Sequence, residues 1–103
     1  MEQREERRKR RRFAMQYPVT LKVMEQRPRE ISGTTENVSE LGILLVSDAE
    51  VPPTSRVELA LTLQHESMPA VRLLSSGTVF RVEPRPGNKK AIAIGCDQAF
   101  QPV

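Results

Sequence analysis

A chain of 103 residues that is 38% apolar, with three Phe, one Tyr and no Trp, has room for one small domain with a largely aliphatic core. It has no run of about 18 apolar residues, so we expect no membrane span, and its single cysteine excludes an internal disulfide. The formal charge is +3, but residues 1–12 carry seven Lys or Arg against three Glu. This concentration of positive charge on one segment predicts an anionic partner.

The basic segment, residues 1–12, has no apolar stripe that could pack against a domain. Glu5 and Lys9 have the spacing of a helical ion pair, but about 0.3–0.5 kcal/mol per pair cannot hold so short a helix. We therefore expect a flexible basic N-terminal arm that becomes ordered when a ligand binds. One domain over residues 13–100 and a tail over residues 101–103 would follow it.

From Phe13 onward the chain has the pattern of strands and turns. Alternating or short apolar runs predict six strands, in YPVTLKV, ISGTTENVS, GILLVS, RVELALTL, AVRLLSSGTVFRVE and KKAIAIGCDQ. Breaks are predicted at EQRPRE, DAEVPPTS, HESMP and PRPGN, and Gly77 predicts a bulge or bend in the fifth strand. Six short strands imply an all-β fold, and the pattern alone fits either a small antiparallel barrel or a sandwich.

Residues that could carry catalysis or hold a metal are sparse. His65 lies in a polar turn without a second His or a Cys nearby, which indicates an ordinary surface histidine. Cys96 continues the apolar face of the last strand, which favours buried packing over a nucleophilic role. A zinc site needs about four ligands, and no Gly-rich loop leads into a helix. We predict no enzymatic activity, no catalytic residue, no metal and no cofactor.

The stretch ENVSELGILL, residues 36–45, allows two interpretations. Asn37 and Ser39 are turn formers, and Gly42 permits a positive φ or a close backbone approach, so a hairpin turn is the simpler one. Alternatively, the Asn37 carboxamide and the Ser39 hydroxyl could address the edge of a purine base. Taken by itself, the stretch favours the turn.

Two motifs taken together resemble the PilZ domain, the bacterial receptor module for cyclic di-GMP. One is R-x-x-x-R ahead of the first strand, and the other is [D/N]-x-S-x-x-G, matched from Asn37 to Gly42 with Asn where Asp is common. GTVFRVEP and AIAIGCDQAF also resemble the closing strands of the family, and the resemblance extends over residues 7–100. It implies a six-stranded antiparallel β-barrel, which agrees with the strand count.

Three arginine pairs have the spacing of the first motif: Arg4 with Arg8, Arg7 with Arg11, and Arg8 with Arg12. In similar family members the second Arg directly precedes an apolar residue, and a Pro-Val pair opens the first strand shortly after. RFAMQYPV has this register, which favours Arg8 and Arg12 and leaves Arg7 and Arg11 as the alternative.

The resemblance implies a cyclic di-GMP receptor that clamps its ligand between the arginine motif and Asn37, Ser39 and Gly42. Guanidinium groups suit this role because they can pair with phosphate, address guanine O6 and N7, and stack on a base. A module without catalysis needs a downstream protein partner, and one cysteine without a secretory signal is typical of a cytoplasmic protein.

Two alternatives remain open. One is a PilZ-like adaptor that contacts proteins without binding cyclic di-GMP. The other is a nonspecific nucleic-acid or anion binder that uses the basic arm. Nucleic acid is disfavoured because the chain after residue 12 carries nine bases against ten acids and has few aromatic residues for base stacking.

Overall fold

The computed structural model describes residues 16–64 and 66–103. These residues form seven strands: β1 (Pro18–Met24), β2 (Arg29–Ser39), β3 (Gly42–Ser47), β4 (Arg56–Leu63), β5 (Val71–Arg85), β6 (Lys89–Cys96) and β7 (Gln101–Pro102). They contain no helix long and apolar enough to cross a membrane.

The six long strands close into an antiparallel barrel. Their order is β4-β1-β2-β3-β6-β5, and β5 pairs back with β4 to complete the ring. Closure leaves few exposed strand edges, which matters in a chain with so small a core. The predicted all-β, six-stranded antiparallel barrel is confirmed, and the sandwich is excluded.

Period-two alternation along the strands fills the barrel with aliphatic side chains. The buried apolar cluster consists of Val19, Leu21, Val23, Ile31, Ile43, Leu45, Val51, Val57, Leu59, Leu61, Val79, Ile92 and Ile94. Burial of each such side chain contributes about 1.5–3 kcal/mol to folding. Thr35 is a fully buried polar residue within this interior, and its hydroxyl accepts a hydrogen bond of 2.9 Å from the Tyr17 amide. The core therefore avoids an unsatisfied hydroxyl at that point.

The bulge predicted at Gly77 lies three residues farther along the chain, at Phe80, where the β5–β6 register shifts. Gly77 itself pairs regularly with Cys96. A Cβ atom at position 77 would overlap the carbonyl oxygen of Gly95, so the glycine serves close backbone approach instead of a bulge.

Two predicted boundaries also differ from the structure. β5 continues through Pro84 to Arg85, so the turn is shorter than PRPGN. Pro84 is tolerated because this end of β5 pairs only with β6, and its missing N–H removes no bond to β4. Within the predicted tail, Gln101–Pro102 form the short strand β7, which pairs with β5. Two residues are too few to show an alternating pattern.

Candidate ligand-binding site

The [D/N]-x-S-x-x-G motif forms the hairpin that joins β2 to β3. Ser39 and Gly42 pair directly, and residues 40 and 41 make the turn between them. Val38 packs against the core, so its neighbours Asn37 and Ser39 lie on the outward face of β2. The hairpin predicted from ENVSELGILL is present, and it leaves both polar side chains on the outside of the barrel.

Strand pairing extends the motif into two outward rows across β2, β3, β6 and β5. The first row contains Asn37, Leu44, Ala93 and Arg81, and the second contains Ser39, Gly42, Gly95 and Thr78. Two adjacent glycines leave the middle of the second row without side chains. The result is a floor with a bare centre, polar groups at its β2 edge and an arginine at its β5 edge.

These rows form the floor of an open groove of about 260 Å³, whose lining includes Asn37, Ser39, Gly42, Phe80 and Arg81. The Phe80 ring lies beside the bare floor, with its nearest carbon 3.8 Å from where a Cβ of Gly95 would lie. The ring is 61% exposed, so it offers an aromatic surface to a planar ligand.

Gly42 fits the close-approach role and not the positive-φ role. In residues 16–64 and 66–103, positive φ angles occur at Thr54, Gly87 and Asn88. A Cβ at Gly42 would lie 3.3 Å from the Ser39 Oγ, which donates a hydrogen bond of 3.2 Å to the Gly42 carbonyl. A larger residue at position 42 would therefore crowd the Ser39 hydroxyl and require it to shift slightly.

Asn37 and Arg81 lie at opposite ends of the first row. The Asn37 carboxamide makes no hydrogen bond with the described residues, so its donors and acceptor can address a ligand. The Arg81 guanidinium lies 5.9 Å from the Phe80 ring centroid and 3.3 Å from the Glu83 carboxylate. The groove thus combines a base-reading amide, a hydroxyl, an aromatic ring and a cation.

A second groove of about 470 Å³ lies on the β1–β4–β5 side of the barrel. Lys22, Glu58 and Arg72 are part of its lining, which includes no residue of the [D/N]-x-S-x-x-G motif. Acidic and basic side chains both line it, so it is less suited to an anionic ligand despite its larger volume. We therefore assign the candidate site to the smaller groove.

Residues 6–99 of this chain match a family model described as PilZ domain. This chain belongs to the PilZ domain family. PilZ domains are a family of cyclic di-GMP receptors, and they act as regulatory binding domains and not as enzymes. The resemblance read from the two motifs is therefore confirmed.

The PilZ barrel is also similar to a solved structure, the Bacillus subtilis inhibitor of motility (MotI/DgrA), with a TM-score of 0.71 and 19% sequence identity. The alignment covers 89% of this chain and 43% of that chain, so this chain spans less than half the length of that protein. At this identity the likeness shows the shared fold alone. A search of curated proteins found no match.

Part of the predicted PilZ site lies outside the described residues. Arg8 and Arg12, and the alternative pair Arg7 and Arg11, precede residue 16, and His65 is also outside. The arginine half of the site and its register therefore stay predictions, as does the surface role of His65. The other half, Asn37, Ser39 and Gly42, comes together in one groove.

Sequence reasoning missed Phe80 and Arg81 as candidate site residues of this PilZ domain. A bulge at Phe80 shifts the alternation of β5, which places Arg81 in the outward row opposite Ala93. The available signal was an aromatic residue followed by a cation in GTVFRVEP, shortly before the final predicted strand. Without the bulge, period-two counting would place these two residues on opposite faces.

An ion pair that joins distant parts of the PilZ chain involves Glu36, the residue directly before the groove residue Asn37. Both guanidinium ends of Arg85 donate to the Glu36 carboxylate, at 2.8 and 3.1 Å. These hydrogen bonds hold the pKa of the Glu36 carboxyl below its ordinary value, although partial burial opposes the shift. The carboxylate form is thus favoured beside Asn37.

Cys96 does not have the character of a reactive thiol. It is half-buried against the core, and burial raises the pKa of the thiol above its ordinary value. The protonated form is a poor nucleophile and a poor metal ligand. In the described ranges, no group of three or more His, Cys, Asp or Glu side chains is arranged so that it could hold a metal ion.

Proposed function

We propose that this PilZ domain is a cyclic di-GMP receptor that clamps the ligand between Arg8 and Arg12 and the groove formed by Asn37, Ser39 and Gly42. The observation that carries the proposal is the outward placement of all three motif residues in one groove, beside an exposed aromatic ring. A motif kept only for its hairpin would not need an aromatic ring and a cation, from β5, in the same groove.

The chemistry of the groove suits a guanine base. The Asn37 carboxamide and the Ser39 hydroxyl provide donors and acceptors for the polar edge of guanine. Phe80 provides a face for stacking, and Arg81 adds positive charge near the phosphates. The bare floor at Gly42 and Gly95 lets a planar base come close to the backbone.

In this proposal the ligand draws the arginine motif against the barrel and so creates a surface that neither part presents alone. Since the domain acts by binding, its output passes through a protein partner that recognises this combined surface. The receptor works in the bacterial cytoplasm, where a single reduced cysteine is expected to persist.

The test is calorimetric titration of cyclic di-GMP into the purified protein at about 0.3 M salt, where nonspecific phosphate attraction is screened. We expect saturable binding with Kd near the micromolar range, about −8 kcal/mol, and no comparable binding of GTP. Absence of both heat and a ligand-induced rise in Tm would contradict the proposal and favour the adaptor. Binding that GTP matches and that salt abolishes would favour the nonspecific anion binder.

Arginine variants test the clamp and its register. Arg12→Ala should weaken binding by about 2 kcal/mol because a charge-assisted fork is lost. Arg72→Ala is the matched control, since Arg72 lines the other groove, and its affinity should equal that of the wild type. Loss of affinity in Arg11→Ala but not in Arg12→Ala would assign the motif to Arg7 and Arg11.

A further inference from the structure

Glu36 occupies a distinctive backbone position, directly before the groove residue Asn37. The β2–β3 register shifts between Thr35 and Asn37, so Glu36 is the extra residue of a β-bulge. A bulge leaves one residue outside the regular ladder and redirects the side chains beside it. The direction in which the Asn37 carboxamide points therefore depends on how this bulge is held.

The partner that holds Glu36 comes from the far side of the groove. Arg85 is the last residue of β5, and β3 and β6 separate β5 from β2 in the sheet. The interior offers no path between them, since Leu45 and Ile92 fill it with no exposed surface. The two-bond bridge therefore does not run through the core, and it ties the β2 bulge to the far end of β5.

The form of this bridge suits positioning more than stability. The Arg85 and Glu36 side chains are 35% and 34% exposed, and ion pairs at such sites contribute little to the free energy of folding. A bidentate fork, however, fixes the carboxylate in both distance and plane. What the pair provides is a defined geometry at the bulge.

We propose that the Glu36–Arg85 ion pair is a positioning device that orients Asn37 toward the ligand by fixing the β2 bulge. Neither residue lines the groove, so neither needs to contact the ligand. This inference rests on the proposed function, since it identifies what keeps the base-reading amide of that same site in place.

An effect of the Glu36 charge on ligand affinity and an effect of Glu36 on the position of Asn37 would have opposite signs. Cyclic di-GMP is an anion, so removal of the Glu36 carboxylate charge beside the groove would strengthen binding by simple Coulomb attraction. Loss of positioning would weaken it. The sign of the change in affinity therefore separates the two effects.

The experiment compares Glu36→Gln with wild type by calorimetry and by NMR of the side-chain amide signals. We expect Kd to rise about tenfold, by analogy with the loss of metal affinity when groups that orient metal-binding side chains are removed. Asp48→Asn is the matched control, because it also removes one acid and a long-range contact, the 2.7 Å bond from Lys89, and Asp48 is not among the groove residues. Its Kd should not change.

Rescue and an apo measurement complete the test. The exchanged pair Glu36→Arg with Arg85→Glu should recover most of the lost affinity, whereas Glu36→Arg alone, which adds positive charge without restoring the pair, should not. Selective asparagine labelling leaves two side-chain amide groups, Asn37 and Asn88, and the Asn37 signals should shift in apo Glu36→Gln. An unchanged or tighter Kd together with unmoved Asn37 signals would overturn the inference.

The two proposals can fail separately. If the wild type does not bind cyclic di-GMP, the proposed function fails, and the apo signals of Asn37 still decide whether Glu36 and Arg85 orient it. If the wild type binds and Glu36→Gln behaves like Asp48→Asn, only the positioning role is wrong.

Discussion

At the residue scale, Ser39 serves the turn and remains in the groove. Its hydroxyl donates to the Gly42 carbonyl at 3.2 Å, which ties β2 to β3, and the same oxygen can still accept a hydrogen bond from a ligand. The turn and ligand interpretations of ENVSELGILL are therefore compatible. Only a variant that removes the hydroxyl can separate its two contributions.

Ser39→Ala should lower the free energy of unfolding by about 0.5–1.5 kcal/mol, the usual net value of one hydrogen bond. Its affinity for cyclic di-GMP should fall about tenfold, since a groove hydroxyl is lost. Ser47→Ala is the control: the Ser47 hydroxyl donates to the Ser32 carbonyl at 2.6 Å, outside the groove. This control should lose stability with unchanged affinity. Equal affinity in both variants, measured by calorimetry, would leave Ser39 a turn residue alone.

Phe80→Ala should weaken ligand binding and leave the stability of the fold nearly unchanged. The ring is 61% exposed, so its removal should hardly change Tm, whereas lost stacking should weaken binding by about 1 kcal/mol or more. Leu74→Ala, another exposed apolar residue on β5, lines the second groove and should leave affinity unchanged. If titrations of the two variants give the same Kd, Phe80 takes no part in the site.

At the element scale, the two bulges shape the groove. One lies in β2 at Glu36 and the other in β5 at Phe80, on the two strands that flank β3 and β6. Alternation in the sequence predicted the strands themselves but neither bulge position. A bulge changes the facing of side chains by one residue, and the affected positions are half-exposed in β2 and exposed in β5, so the apolar pattern shows no clear break.

Close backbone approach at Gly77 gives a prediction about β5. Gly77→Ala should lower the free energy of unfolding by about 1–3 kcal/mol, because its Cβ would overlap the Gly95 carbonyl. Gly95→Ala is the matched control, since its nearest neighbour, the Phe80 ring, is at an ordinary 3.8 Å. Urea unfolding measures both. A Gly77→Ala variant as stable as Gly95→Ala would show that the strands can separate at little cost.

At the scale of the whole molecule, features set by the local sequence pattern could be predicted, whereas features set by long-range pairing could not be predicted from that pattern. The strands and their inward faces follow from alternation, as in the buried Val57, Leu59 and Leu61. Closure through β4 and β5 is a non-local pairing that the pattern does not encode, and the family resemblance implied it. The Glu36–Arg85 pair spans 49 residues of sequence and had no local signal at all.

Acid should weaken the fold through two carboxylates. Hydrogen bonds from Arg85 to Glu36 and from Arg56 to Asp97 lower the pKa of each carboxyl in the native state. The unfolded chain therefore binds protons more readily. Their stabilising contribution is present above the ordinary carboxyl pKa of about 4 and is lost as pH falls through the native-state values.

We expect Tm to decline below about pH 4.5 in the wild type, and less steeply in a variant with both Glu36→Gln and Asp97→Asn. Above this range, the variant should have the lower Tm of the two. Thermal unfolding followed by circular dichroism from pH 7 to pH 3 measures this difference. Parallel curves over the whole range would mean that neither pair is linked to folding.

The most direct test of the central claim, that the β2–β3–β6–β5 groove binds cyclic di-GMP, is NMR titration of the labelled protein. We predict that ligand-induced shift changes concentrate on residues 37–42 and on Phe80 and Arg81. Lys22 and Arg72, in the larger groove, should not respond. Saturable changes centred on the larger groove, or no changes at all at ligand concentrations well above micromolar, would contradict the account.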